Sequence, residues 1–324
     1  MMKYNRGFTL VELMIAMTLA LVILGAASIA LVNSKDMYRH TTNMNRVQEN
    51  GRFAMNFLMS QIRDARRMGC SPTTITNHLN NPAEFFQPGQ NVLSFAYTGF
   101  GGDDVTDWTP NLPASLSGGD VFPYTDVLGI TRVADASYKI GPPYMTTTAA
   151  ALHIDTPWGL EQGDIVMATD CNKADIFQIV APANPSGSGT VVHNTGGAQY
   201  PGNATADLSQ IYGPGSELLK FETNYYYIGY GYGNVPGLFQ IDAQDAAGSE
   251  LVSHVESLGL LFGEDTSGNK SVNLYRFADT VANWKDVRSV QVGVVVRSVD
   301  KIDGEGDYRR QTYTAVVHIR DYRK

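Results

Sequence analysis

Residues 13–32 (LMIAMTLALVILGAASIALV) form a run of twenty residues without a charge, in which only Thr18 and Ser28 are polar. Coiled as a helix, the run is about 30 Å long, the hydrocarbon thickness of a bilayer. It is apolar on every side, so it needs lipid or similar helices around it. Lys3 and Arg6 precede it and the short leader has no acid. The positive-inside rule therefore keeps the N-terminus cytoplasmic and exports the bulk of the chain. A cleaved secretory signal is the rival reading, with GAASIA at 25–30 as its small-residue site. The run is too long for that, and Glu12 stands near its start, where such a signal has no use for an acid.

The mean hydropathy of −0.16 and net charge of −8 average two unlike parts. Residues 1–70 carry nine Lys/Arg against four Asp/Glu and no proline; the remainder carries 15 against 28 and all 14 prolines. Past Val32 the pattern turns amphipathic. Met44, Val47, Gly51, Ala54, Leu58, Ile62 and Ala65 recur at steps of three and four along one stripe, while Arg46, Glu49, Arg52, Arg63 and Asp64 take the other faces. Met37, Met44, Gly51 and Leu58 also keep a seven-residue step. Gly69 and Pro72 supply a stop. One helix is expected over 8–68, about 90 Å long, membrane-spanning over about 8–32 and amphipathic over 33–68. Gly25 and Gly51 are its expected weak points.

The string RGFTLVELMIAM at 6–17 resembles the class III signal of type IV prepilins and type II secretion pseudopilins. The resemblance implies that residues 1–7 are a leader, cut by a prepilin peptidase between Gly7 and Phe8, with N-methylation of Phe8. It also implies that Glu12 serves subunit assembly, by pairing with the terminal amine at Phe8 of a subunit. That pair would offset the cost of an acid in lipid, about 2.5–3.5 kcal/mol at a helix centre and less near the edge. Snorkelling of Glu12 to the headgroups is the plainer alternative.

After Cys70 no long helical period survives. Short β-rich runs at 92–97, 127–132, 165–169, 176–180, 221–227, 258–262, 287–298 and 312–319 alternate with Gly/Pro/Asn/Asp-rich stretches. The last two flank DKIDGEGD at 300–307 and read as a hairpin. The segment GDIVMATDCNKADIFQIV at 163–180 and the ending from WKDVRSVQVGVVVRS onward resemble PilW-type minor pilins. Members often close the final strand with Arg-Asn, whereas Arg320 is followed here by Asp321. The implied fold is α+β and pilin-like: a long N-terminal helix packed on an antiparallel β-sheet domain, 69–324, with long insertions at 98–126 and 181–216 decorating the sheet.

Cys70 and Cys171 are the only cysteines. Export to an oxidising compartment favours a disulfide between them, two free thiols being the alternative. The bridge would close a loop of about 100 residues, worth up to about 4.7 kcal/mol in the chain-entropy model. GGDDVTD at 101–107 and DKIDGEGD crowd carboxylates but lack the EF-hand spacing, and acid-rich turns are ordinary solvated surface. The tract FETNYYYIGYGYG at 221–233 offers rings for stacking, but tyrosines also suit strands. The six histidines show no paired metal spacing, and no nucleophile elbow, Walker lysine or full dinucleotide fingerprint occurs. Neither an enzyme nor a cofactor or metal is expected.

These features point to a minor pilin of a type IV pilus, held in the inner membrane with its C-terminal domain periplasmic and later carried on the cell-surface pilus. It would prime assembly and sit at or near the tip. Its implied partners are other minor pilins, the major pilin, the prepilin peptidase, the inner-membrane assembly machinery and the lipid bilayer. The alternatives are a tip adhesin or DNA-uptake receptor on the same pilus, or a type II secretion pseudopilin. Direct nucleic-acid binding is disfavoured, since the exported part is acidic and Arg309–Arg310 and Arg323–Lys324 are its only adjacent basic pairs.

Overall fold

The computed structural model describes residues 9–65, 72–80, 92–99, 104–113, 115–116, 120–155, 159–196, 201–243, 247–301 and 306–319. The leader, Gly7, Phe8, the expected stop at Gly69 and Cys70 lie outside these residues. Helix α1 runs Leu10–Asp64, 55 residues without a break at either glycine. Arg63 sits in its last turn, where a cation suits the helix dipole. Ala65 keeps right-handed helical angles and donates its N–H to the Ile62 carbonyl at 3.3 Å.

The strands follow in chain order. The first are β1 (Thr74–Asn77), β2 (Val92–Tyr97), β3 (Trp108–Thr109), β4 (Val127–Lys139) and β5 (Leu152–His153). Next come β6 (Ile165–Thr169), β7 (Lys173–Gln178), β8 (Thr190–Val191), β9 (Glu217–Tyr230) and β10 (Pro236–Asp242). The chain closes with β11 (Ser249–Ser253), β12 (Val255–Glu264), β13 (Leu274–Arg276), β14 (Val287–Lys301) and β15 (Tyr308–His318). Each of the eight expected runs falls on a strand, with 176–180 overrunning β7 by two residues and 312–319 overrunning β15 by one, and β14 with β15 forms the expected hairpin.

Among the described residues the strands make two main sheets. A four-stranded antiparallel sheet has the order β13-β12-β14-β15, and the helix lies across it. A nine-stranded sheet has the order β1-β7-β6-β9-β4-β2-β3, with β10 and β11 branching from β9. Every pairing in it is antiparallel except β1 with β7. Strand β9 is the spine: β4 lines one edge, and β6 then β10 share the other.

Alternation in β14 explains why the helix docks there. Val290, Val292, Val294 and Val296 all point to one face and are fully buried against Val47, Ala54, Leu58 and Ile62 of the helix cluster. Each such side chain is worth about 1.5–3 kcal/mol on burial. The stripe read from the sequence is this buried face, with Met55 added and Met44 half-buried at its edge. Met37, in the same seven-residue step, is 73% exposed, because the domain does not reach that far down the helix.

Gly51 is a notch and not a weak point. A methyl at this position would collide with the ring of Tyr313, which lies over the glycine from β15. The Tyr313 hydroxyl donates to the Val47 carbonyl at 3.3 Å.

The insertions also differ from the expectation, since they fill cores of their own. Trp108, Leu112, Leu116 and Val121 pack with Phe95, Tyr225 and Tyr227 on the large sheet, and the Trp108 indole donates to the Thr125 carbonyl at 2.8 Å. Val191, Leu208 and Tyr212 join a further cluster with Phe177 and Leu218. Asp126 ties the two sheets together. Its carboxylate accepts from Tyr97 N in β2 at 3.2 Å and from Leu260 N in β12 at 2.8 Å, and burial pushes its pKa up to about 6.

Replacing Gly51 by Ala should gain helix propensity of about 1 kcal/mol yet lose more than that by overpacking against Tyr313. Denaturant melts of Gly51→Ala are expected to show net destabilisation, and the sign should reverse when the change is made in a Tyr313→Ala background.

Candidate assembly face

The helix begins at a capping box. Thr9 is extended, and its hydroxyl accepts from Glu12 N at 3.3 Å. The Glu12 carboxylate turns back to accept from Thr9 N and from the Thr9 hydroxyl, each at 2.9 Å. The signal for this was present as Thr9-Leu-Val-Glu12, the spacing at which each side chain reaches the other's backbone N–H. Among the described residues, the Glu12 carboxylate bonds Thr9 alone. The acid is therefore folded back on the first turn of its own helix.

From 10 to 35 every residue is exposed, including Leu10 at 75% and Ile23 at 67%. The helix is long and apolar enough to cross a membrane, and none of its most apolar window is covered by the rest of the chain. Ser28 and Ser34 bond the carbonyls of Leu24 and Ala30, four residues back, and Thr18 bonds that of Ile15. Their hydroxyls thus present no free polarity to an apolar surrounding. Above this bare stretch the helix changes character. Val47 is its first fully buried side chain, and Arg46, Glu49 and Arg52 face outward.

At the far end, Cys171 occupies the turn between β6 and β7 with a left-handed φ of 67°. Its N–H donates to the Thr169 hydroxyl at 2.9 Å. Thr73 reaches the same turn, with its N–H and its hydroxyl donating to the Asn172 carbonyl at 2.9 and 2.7 Å. From there β1 runs parallel to β7, starting with Thr74 opposite Lys173.

Other constellations resolve differently. Tyr225, Tyr226 and Tyr227 are buried in strand β9, so the tract is mostly core; Tyr230 and Tyr232 are exposed. Asp104 and Asp107 cap a short turn, bonding Thr106 N and Asp104 N. Asp300 meets Arg39 and Asn43 on the helix, and Asp307 meets Arg310. Among the described residues no group of three His, Cys, Asp or Glu is placed to hold a metal.

Sequence reading missed the cluster at Asp175, whose members are far apart in the chain. One oxygen of this fully buried carboxylate bonds His78 Nε2 at 2.7 Å. The other accepts from Ser209 N, the Ser209 hydroxyl and the Tyr212 hydroxyl at 3.1, 2.8 and 2.7 Å. Burial alone would raise its pKa, but these four donors outweigh it and hold the carboxyl below the usual range. The acid sits between the imidazole and the hydroxyl, so the histidine does not address Ser209 as a base would. The cluster pins the chain at 209–212 to β7.

Residues 225–321 match the family of the type IV pilus-assembly protein W, and residues 2–28 match the prokaryotic N-terminal methylation motif. The first match runs from the middle of β9 through the whole helix-bearing sheet; the second covers the capping box and most of the apolar run. The segment 163–180 lies in neither. No curated protein and no solved structure matches the chain. Together the two matches support a PilW-type pilin, and the motif with the apolar helix supports membrane anchoring.

Proposed function

We propose that the chain is a minor pilin of a type IV pilus that waits in the inner membrane with its domain outside, helps prime assembly and is carried at or near the pilus tip. The observation that carries this reading is the divided helix: residues 10–35 are bare, with the apolar run at 13–32, while the stripe from Val47 to Ala65 is sealed against the chain's own sheet. A subunit so built leaves only the inner half for lipid or for the helices of neighbours. In this reading residues 1–7 are the leader, 8–68 the stalk and 69–324 the outward domain. The peptidase cuts between Gly7 and Phe8, and Phe8 becomes the methylated amino terminus. Glu12, now capping Thr9, exchanges that local partner for the amine at Phe8 of a neighbouring subunit. A domain of about 255 residues is awkward to repeat along a filament, which favours the end of one.

A deletion strain should lose surface pili, wild type should restore them, and a Gly7 variant that blocks processing should not. Pilus numbers unchanged by the deletion would count against the assembly role.

The staple belongs to the same reading. Cys70 lies three residues before Thr73, and Thr73 bonds the residue next to Cys171, so the chain stands at the cysteine turn three residues after Cys70. Non-reducing mass mapping should recover the Cys70 and Cys171 peptides as one linked species. Two alkylatable thiols would remove the bridge.

A further inference from the structure

Strand β15 closes its sheet with one long edge. Ile319 donates its N–H to the Arg288 carbonyl at 2.9 Å, and the register with β14 is unbroken from Arg310 to His318. Odd-numbered residues of β15 therefore turn their N–H and C=O groups to β14, and even-numbered ones turn theirs away. Thr312, Thr314 and Val316 hold the middle of this outer edge. Their backbone groups meet no partner among the described residues, and their side chains are exposed, Val316 at 47%. The other edge strands, β1, β3, β11 and β13, run two to five residues, against eleven in β15. An edge of that length is ordinarily blunted by a proline, a charge or a bulge. From Gln311 to Val317 there is none of these. Charge appears only at the hairpin end. There a cleft of about 30 Å³ between α1 and the hairpin, room for about two waters or one carboxylate, has Arg39, Lys301 and Arg309 in its lining against one acid, Asp300.

We infer that β15 takes up an antiparallel strand from a different protein subunit, uncharged along its middle and carrying at its C-terminal end an acid that seats in this cleft. An antiparallel neighbour brings its C-terminal end to the start of β15, where Arg309 stands. A second copy of this chain does not fit. Strand β15 runs beside the helix in the same sense, from Arg309 near residues 39–47 to Tyr313 over Gly51. Two β15 edges paired antiparallel would point their helices in opposite directions, whereas copies of one chain enter a bilayer the same way round. Paired in parallel, they would set two basic clefts side by side. The inference borrows from the assembly reading only that shared orientation. Its test is made on the purified chain, so its failure leaves pilus assembly untouched.

The test uses the full chain in detergent micelles and follows amide hydrogen exchange by NMR. In the free protein Thr312, Thr314 and Val316 should exchange about a hundredfold faster than Tyr313 and Ala315. The probe is an acetylated, amidated heptapeptide of alternating threonine and valine ending in glutamate, and a companion peptide ends in lysine. At about ten times its Kd the glutamate peptide should slow the three outward amides about tenfold and leave the inward ones unchanged. It should bind about fivefold tighter than the lysine peptide, and Arg309→Ala should erase that preference. Thr314→Pro removes an outward N–H and no bond to β14, and should abolish binding. If that variant unfolds, two peptides N-methylated at alternate residues decide, since one should bind and the other should not. Outward amides already slow in the free chain, no slowing by the glutamate peptide, equal or tighter binding of the lysine peptide, or equal binding of the two N-methylated peptides would each overturn the assignment.

Discussion

The packing of α1 against β14 and β15 is the contact on which the rest of the molecule depends. It buries a helical stripe and a row of four valines in one cluster, and the Tyr313 ring fits closely because Gly51 presents no side chain. Below this contact the helix receives almost nothing from the domain. About 22 Å of helix separate Val32 from Val47 at the standard rise. Along that spacer Asn43 and Arg39 meet Asp300, but the Arg39 pair is 3.9 Å apart and half-exposed, a geometry that contributes little. One end of the helix is therefore owned by the domain and the other is left to its surroundings.

The large sheet extends away from this contact along β9, and buried polar groups lock its parts. Asp126 takes one N–H from each sheet, while the Asp175 carboxylate gathers His78 from one stretch and Ser209 and Tyr212 from another. Such groups are costly unless fully bonded, so they specify one arrangement of otherwise interchangeable apolar clusters. Lys220 and Asp164 add a partly buried ion pair at 2.8 Å where β6 meets β9. The acidic surplus of the chain beyond the helix is thus partly consumed inside it and not spread evenly over its surface.

Local patterns in the sequence carried much of this fold. The apolar run, the stripe from Val47 to Ala65 and the alternating valines of β14 depend on periodicity alone, and each appears where its period places it. The strands β1, β3, β5, β8, β10, β11 and β13 lie outside the expected runs. They have too few alternations to stand out, and β10 opens with Pro236 and Gly237, which read as a breaker. The insertions were harder still: Trp108 and Tyr212 are core residues only because distant strands close over them. Gly51 was misread because helix propensity is a local quantity, whereas its role is set by Tyr313, 262 positions away in the sequence. At the N-terminus, Thr9-Leu-Val-Glu12 was readable as a cap, but the more distinctive string around it drew attention to Glu12 as an intersubunit group.

The inner half of α1 is uncovered by the domain and so contributes nothing to its stability. A chain beginning at Ser34, lacking the whole apolar run, tests it most directly. Thermal unfolding should be cooperative in the absence of detergent, with a midpoint within about 3 °C of the full-length protein in detergent, a difference of roughly 1 kcal/mol for a domain of this size. A truncated chain that aggregates, or unfolds far below the intact protein, would show that residues 9–33 support the fold itself.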